Sequence, residues 1–122
     1  MTKPHLEPGP DHPITVHPTG SRVVVTVGDT VLADTTEALT LQESTYPAVQ
    51  YVPLADVDAA RLRRTGTTTY CPYKGDAGYY AVVTDDGELP DTVWFYETPY
   101  PAVAEIAGHV AFYADRVAVS VG

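Results

Sequence analysis

Hydrophobic and polar residues alternate with a period of two along most of the chain from Ile14 onward. Short runs rich in β-branched residues, divided by glycine, proline and aspartate, are typical of strands joined by tight turns. The pattern predicts about eight or nine strands, and the segments that show it are Ile14–His17, Arg22–Val27, Thr30–Asp34, Ala38–Gln42, Val49–Val52, Gly78–Val83, Thr92–Tyr96, His109–Tyr113 and Arg116–Val119. Such a series favours a mainly β, compact domain whose antiparallel sheet is closed or nearly closed, like a β-barrel.

Turn and helix signals divide these strands. Gly28-Asp29 has the residues of a two-residue hairpin turn, and Ala114-Asp115 predicts a second hairpin that closes the chain. Asp56–Arg64 has a capping aspartate at its start, and Tyr100–Gly108 has proline near its start and glycine at its end. These are features of short helices, so we expect one or two of them.

The length of 122 residues fits one domain, which we place at residues 12–122. Residues 1–11 contain three prolines and no apolar run, so we expect a flexible or loosely docked tail rather than a signal peptide or an anchor.

Charge and cysteine content narrow the classes of function. With 16 acidic against 7 basic side chains, the net charge of −9 repels phosphate backbones and anionic lipid, so we expect neither nucleic-acid nor membrane binding. A single cysteine rules out an intrachain disulfide, and the cytoplasm is the expected compartment. The four histidines lack the spacing of metal ligands, and His12-Pro13 is interpreted as a turn feature. We expect no metal and no organic cofactor.

A polar stretch from Thr65 to Gly78 interrupts the alternation and is interpreted as a shaped loop. Pro72 fixes one backbone dihedral, whereas Gly75 permits left-handed backbone or the close approach of another group. Ordered loops on a rigid sheet are where binding and catalytic groups concentrate. The centre of this stretch, Thr69–Ala77, is therefore the predicted functional centre.

Lys74 and Glu43 are the leading candidates for chemistry. Lys74 is the only lysine besides Lys3, and in a constrained loop it can bind a carboxylate, a phosphate or an oxyanion. The alternative is a salt bridge to Asp76 or Glu43. Glu43 follows a strand and can act as a general acid or base, particularly if tyrosine rings desolvate it and raise its pKa. The alternative is a solvated carboxylate in a turn.

Cys71 can be a nucleophile if a cation such as Lys74 activates its thiolate, or a small buried hydrophobe that supports the loop. The aromatic residues can pack as core or form the walls of a binding site. The residues assigned to substrate binding are Tyr51, Tyr70, Tyr73, Asp76, Trp94 and Tyr96.

Several motifs occur in a recognisable order. They are His12-Pro13-Ile14-Thr15-Val16, Leu41-Gln42-Glu43-Ser44, Tyr51-Val52-Pro53, Thr69-Tyr70-Cys71-Pro72-Tyr73-Lys74-Gly75-Asp76-Ala77, Trp94-Phe95-Tyr96-Glu97 and Gly108-His109-Val110-Ala111-Phe112-Tyr113. Together they resemble the bacterial and fungal family called domain of unknown function 427, over roughly Asp11 to Val119.

The resemblance implies a compact fold similar to the β-tent of Mss4-like proteins and methionine sulfoxide reductase B. Those relatives often hold zinc with four cysteines, and this chain has one, so the resemblance implies neither zinc nor that reductase chemistry. The family carries no established general activity. It does imply that Glu43, Tyr51, Cys71, Lys74 and Asp76 belong to one site.

The leading hypothesis is a domain that binds a small molecule. Its more specific form is a cofactor-independent enzyme in which Lys74 binds or polarises an anionic or carbonyl group and Glu43 is the acid or base. The lyase, isomerase or hydrolase class is not resolved. Two alternatives stay open: a non-enzymatic homodimeric interaction module, and a thiol redox sensor acting through Cys71.

Overall fold

Ten strands and three short 3₁₀ segments make up the fold in a computed structural model that describes residues 3–122. The strands are β1 Ile14–Pro18, β2 Val23–Val27, β3 Thr30–Thr35, β4 Leu39–Glu43, β5 Val49–Pro53, β6 Leu62–Cys71, β7 Gly75–Thr84, β8 Gly87–Phe95, β9 His109–Phe112 and β10 Ala118–Val121. The 3₁₀ segments are Leu54–Asp56, Ala59–Arg61 and Pro101–Ile106. The prediction of a mainly β, antiparallel domain with few short helices is confirmed.

The strands form two open sheets and not a closed barrel. Seven strands pair in the order β1-β4-β5-β9-β8-β7-β6, and three pair in the order β10-β2-β3. The predicted closing hairpin is wrong, because β9 pairs with β5 and β8 whereas β10 pairs with β2 in the other sheet. The alternation of residues locates a strand but carries no information about its partner, so this crossover between sheets is invisible in the pattern.

The polar stretch Thr65–Gly78 is mainly strand and not a long loop, which corrects the prediction. It belongs to β6 and β7, joined by a three-residue turn at Pro72–Lys74. Its threonines are β-branched, and β6 is an edge strand whose residues are mostly exposed, so a polar sequence suits it.

The remaining local predictions concern one turn and two short helices. The turn at Gly28-Asp29 is confirmed between β2 and β3, with Gly28 at φ +56°. The segment Tyr100–Gly108 contains the 3₁₀ segment Pro101–Ile106. Asp56–Arg64 is helical only in part, because the 3₁₀ segment capped by Asp58 ends at Arg61 and β6 begins at Leu62.

The seven-stranded sheet has a core on each face. One cluster joins it to the three-stranded sheet and includes Val25, Val52 and Phe95. The other includes Tyr51 and Tyr96, which are chain neighbours of Val52 and Phe95 and so point to the opposite face. Burying side chains of this size stabilises the fold by roughly 1.5–3 kcal/mol each. The second face carries the tyrosines and becomes the floor of a cavity.

The large sheet is strongly curled. Lys74 follows β6 at one end of the strand order and contacts Glu43 on β4 near the other end. Gly75 makes the tight turn possible, because its φ of +110° is a backbone conformation that residues with a side chain rarely adopt. Among residues 3–122, no helix is long and apolar enough to cross a membrane.

Candidate functional site

A cavity of about 220 Å³ lies on the tyrosine-rich face of the curled sheet. Residues from both ends of the large sheet line this cavity. β4 and β5 supply one side, and the β6–β7 turn, β7 and β8 supply the other. Its lining consists of Leu41, Glu43, Tyr46, Pro47, Val49, Tyr51, Lys74, Tyr79, Trp94, Tyr96 and Tyr113. One acidic and one basic side chain therefore face a wall that is otherwise aromatic and apolar.

Three polar side chains form a connected network beside this cavity. The Lys74 ammonium donates a hydrogen bond to Oε1 of Glu43, and Nε2 of His12 lies 2.8 Å from Oε2 of the same carboxylate. Lys74 is only 8% exposed, and the side chain of Glu43 is 14% exposed. Since an ionised carboxylate only accepts hydrogen bonds, His12 donates through Nε2. Both carboxylate oxygens are thus held by cationic or N–H donors.

The local backbone sets the position of each member of the network. Glu43 is the last residue of β4, and Ser44, at φ +49°, turns the chain away while its N–H donates to the carbonyl oxygen of Pro13. The turn at Lys74 is closed by a hydrogen bond from its N–H to the carbonyl oxygen of Cys71. The carbonyl oxygen of Lys74 accepts from the N–H of Tyr100, which fixes the turn against the 3₁₀ segment.

The network controls the charge of Glu43. Burial alone raises the pKa of this carboxyl, but the hydrogen bonds from Lys74 and His12 outweigh it and leave the pKa below its ordinary value. The condition named for acid–base chemistry, a pKa raised by desolvation, is therefore not met, since the two donors beside the carboxylate stabilise the charged form more than burial disfavours it. Glu43 is therefore an ionised hydrogen-bond acceptor near neutral pH.

The aromatic wall supplies hydroxyl groups that stay protonated. Burial raises the pKa values of Tyr51 and Tyr96 above their ordinary value. The indole N–H of Trp94 donates to the Tyr51 hydroxyl at 3.2 Å, which leaves the phenol proton available as a donor. Tyr79 and Tyr113 also line the cavity and were not among the predicted residues.

Four of the predicted site residues lie outside the cavity lining. Asp76 is on the outer face of β7, with its side chain 66% exposed and paired with Lys3 at 2.6 Å. Tyr70 lies opposite Asp76 on β6, and its hydroxyl bonds to the Tyr100 hydroxyl, with burial and that bond raising its pKa to about 12. Tyr73 stacks on His12 with ring centroids 4.1 Å apart. Cys71 is half-buried and packs against the apolar cluster beneath the cavity.

Sequence reasoning missed His12. The segment before β1 is held to the β6–β7 turn, because the N–H of Leu6 donates to the carbonyl oxygen of Pro72 at 3.0 Å and His5 stacks on Tyr100. These contacts carry the chain toward Glu43, where His12 meets it. The local sequence His12-Pro13 predicts only a turn and carries no signal that places the imidazole at Glu43. Met1 and Thr2 of the predicted tail lie outside the described residues, and the domain boundary at residue 12 stays a prediction.

Metal-ligand chemistry has no cluster to support it within the described part of the chain. Residues 3–122 contain no group of three or more histidine, cysteine, aspartate or glutamate side chains placed to hold an ion. The carboxylate at the cavity is already engaged by Lys74 and His12. What the arrangement offers a bound molecule is an ion pair and phenol donors.

The fold and site define a mainly β domain with a cavity on one sheet face and a lysine–glutamate ion pair in the cavity wall. The chain belongs to the family described as domain of unknown function 427, whose family model matches residues 15–122. The resemblance inferred from the motifs is confirmed at this level. No match was found among curated proteins.

Proposed function

We propose that this domain binds a small, uncharged carbonyl compound in the cavity, with Lys74 donating to the carbonyl oxygen and Glu43 serving as a base. The observation that carries the proposal is the Lys74–Glu43 ion pair, which is largely buried and forms part of the cavity lining. Glu43 uses one of the three donors of the ammonium group, so up to two can reach a bound molecule.

The energetics of burial support a role beyond stability. Taking two charges out of water costs several kcal/mol per ion, and apolar residues of similar volume are often as good or better for folding. An ion pair placed in an aromatic pocket is therefore a poor choice for packing alone. It is a good choice for a site that must respond to developing charge.

The charges favour a carbonyl group over an anion. Glu43 already compensates Lys74, and the chain as a whole carries a net charge of −9, so a carboxylate or phosphate would meet repulsion. A neutral carbonyl oxygen needs only donors, and Lys74 and the phenols around it are donors. Of the two ligand classes predicted from the sequence, anions and carbonyl compounds, these charges favour carbonyl compounds.

The chemistry that this arrangement supports is proton transfer next to a carbonyl. Glu43 takes a proton from the carbon beside the carbonyl, the electron pair of that C–H bond moves into a C=C bond, and the carbonyl oxygen becomes an enolate stabilised by Lys74. Return of the proton from Glu43 to carbon restores the ketone. His12 holds the second carboxylate oxygen and orients the base. The step needs no metal or organic cofactor.

Hydrogen–deuterium exchange of a ketone tests this proposal. Butan-2-one is incubated with the protein in deuterated water at neutral pH, and loss of its α-proton signals is followed by NMR. We expect exchange above the buffer rate, lost in Glu43→Gln and strongly reduced in Lys74→Met. Glu88→Gln and Arg63→Met are matched controls. They disrupt an exposed ion pair, with a nitrogen–oxygen distance of 2.6 Å, whose two residues do not line the cavity.

Binding is measured separately through Trp94, the only tryptophan, which lines the cavity. If ketones neither change the Trp94 fluorescence of the parent nor exchange faster than in buffer, the proposal fails. Binding without exchange would remove the enzymatic step and keep a carbonyl-binding domain.

A homodimeric interaction module is a second candidate, favoured by one observation. Tyr46, Tyr113 and Val121 are large apolar side chains that are 57%, 39% and 49% exposed on one side of the molecule, around a shared groove. Such a patch can pack against a second copy. Light scattering at two concentrations separates the candidates, since a mass that stays at one chain opposes the dimer.

A further inference from the structure

The polar cavity adjoins a larger groove. This groove has a volume of about 580 Å³, within the range of pockets that take small organic ligands. The residues that line both spaces are Tyr46, Pro47, Val49, Trp94 and Tyr113. These five shared residues make the two spaces direct neighbours, with Trp94 and Tyr113 at their common boundary.

The groove differs from the cavity in chemistry. It lies between the two sheets, where β2 and β10 supply Val25, Val119 and Val121 and the large sheet supplies Val52 and Phe112. Within the described residues its lining includes no charged side chain, whereas the cavity holds Glu43 and Lys74. The combined site thus has a polar end and an apolar end.

Trp94 and the groove wall set the orientation of an extended ligand between the cavity and the groove. Trp94 lines both spaces, and its ring is fixed by the hydrogen bond from Nε1 to the Tyr51 hydroxyl. A carbonyl group at Lys74 therefore places the rest of an extended molecule past this ring and along the valines of β2 and β10. Burial of that portion removes apolar surface from water on both partners, which is favourable.

We infer that the ligand is a carbonyl compound with an apolar alkyl chain, its carbonyl at Lys74 and its chain in the groove. This inference rests on the proposed function and specifies its ligand class. A small-molecule chain fits better than a second copy of the protein, because the groove shares five lining residues with the polar cavity proposed to hold the carbonyl group. The exposed apolar side chains Tyr46, Tyr113 and Val121 form the groove margin and are covered in part when the chain binds.

A series of methyl ketones from butan-2-one to octan-2-one tests the inference. Affinity is measured by Trp94 fluorescence and confirmed by calorimetry. A fully buried methylene contributes about fourfold in affinity, and a partly open groove about twofold, so octan-2-one should bind at least about tenfold more tightly than butan-2-one. Lys74→Met should weaken every member of the series.

A groove variant and a matched control show where the alkyl chain of the ligand binds. Val121→Asp puts a carboxylate beside the groove and should reduce the gain in affinity per methylene. Val31→Asp is the control, because Val31 is also an exposed strand valine, at 52%, but lines none of these spaces. It should leave the dependence on chain length unchanged.

The outcomes separate the inference from the function on which it rests. If ketones bind through Lys74 with the same affinity at every chain length, the inference is overturned and the proposed function stands. If no ketone binds, the proposed function fails and the inference fails with it. Octane binding as tightly as octan-2-one, or a parent dimer that Val121→Asp dissociates, would show that the groove serves something other than a carbonyl ligand.

Discussion

Removal of the Lys74 ammonium is the most informative perturbation of stability. Lys74→Met keeps most of the aliphatic stem and leaves the Glu43 carboxylate with His12 as its remaining side-chain donor. Breaking a buried ion pair costs roughly 3–5 kcal/mol when the other charge stays uncompensated. Here His12 still donates and both side chains are partly exposed, so we expect a loss at or below the bottom of this range, about 2–3 kcal/mol.

Urea denaturation at pH 7, followed by Trp94 fluorescence, measures this loss. For a chain of 122 residues it corresponds to a fall in melting temperature of about 10 °C. Arg63→Met is the control, since it breaks a pair whose side chains are 55% and 38% exposed. Exposed pairs contribute about 0–1 kcal/mol, so the control should stay close to the parent.

The double variant Lys74→Met/Glu43→Leu completes the experiment. Because it removes both charges, it should recover most of the stability lost in Lys74→Met. If Lys74→Met is as stable as Arg63→Met, the pair is not desolvated and our reasoning about the site is refuted. If the double variant stays as unstable as the single one, the ion pair contributes net stability and the argument for a functional role weakens.

Three further predictions concern acid, backbone and thiol. Ionised Glu43 stabilises the fold above its ordinary pKa of 4.5, and this contribution is lost as the pH falls through the lower folded pKa. The difference in unfolding free energy between parent and Glu43→Gln should therefore narrow below about pH 4.5; a constant difference down to pH 3 would contradict this. Gly75→Ala forces a side chain onto φ +110° and should cost about 1–3 kcal/mol in urea denaturation, unlike Gly66→Ala, which meets open space. Half-buried Cys71 should react more slowly with a thiol reagent in the native protein than in urea, and equal rates would show a freely accessible thiol.

Much of the fold is predictable because the strands follow a local rule. Alternation of β-branched residues located β2, β3 and β5 within a residue or two, since a half-buried strand needs that pattern. Partner strands were not predictable, because pairing depends on the curl of the large sheet and on the crossover between β9 and β10. The threonines of β6 resemble a loop in sequence because an edge strand can be polar throughout.

The candidate site shows the same division. Residue types and surroundings predict Lys74 and Glu43 as site candidates, and the structure places them in the salt bridge that the sequence offers as the alternative to ligand binding by Lys74. The contact of His12 with Glu43 spans 31 residues and depends on the docking of the preceding segment, so no local pattern shows it. The outward position of Asp76 follows from strand alternation, because Asp76 is one residue from Ala77, which faces inward with Tyr79.

The central motif Thr69–Ala77 therefore presents one face of its hairpin to the cavity and the other face to the segment before β1. Thr69, through its 2.9 Å bond to the Tyr79 hydroxyl, and Cys71 face the cavity side, whereas Tyr70 and Asp76 hold the segment around Lys3. A residue-by-residue scan of this motif should give interleaved phenotypes. Inward positions should alter ligand affinity, and outward positions should alter how readily a protease clips the chain before β1.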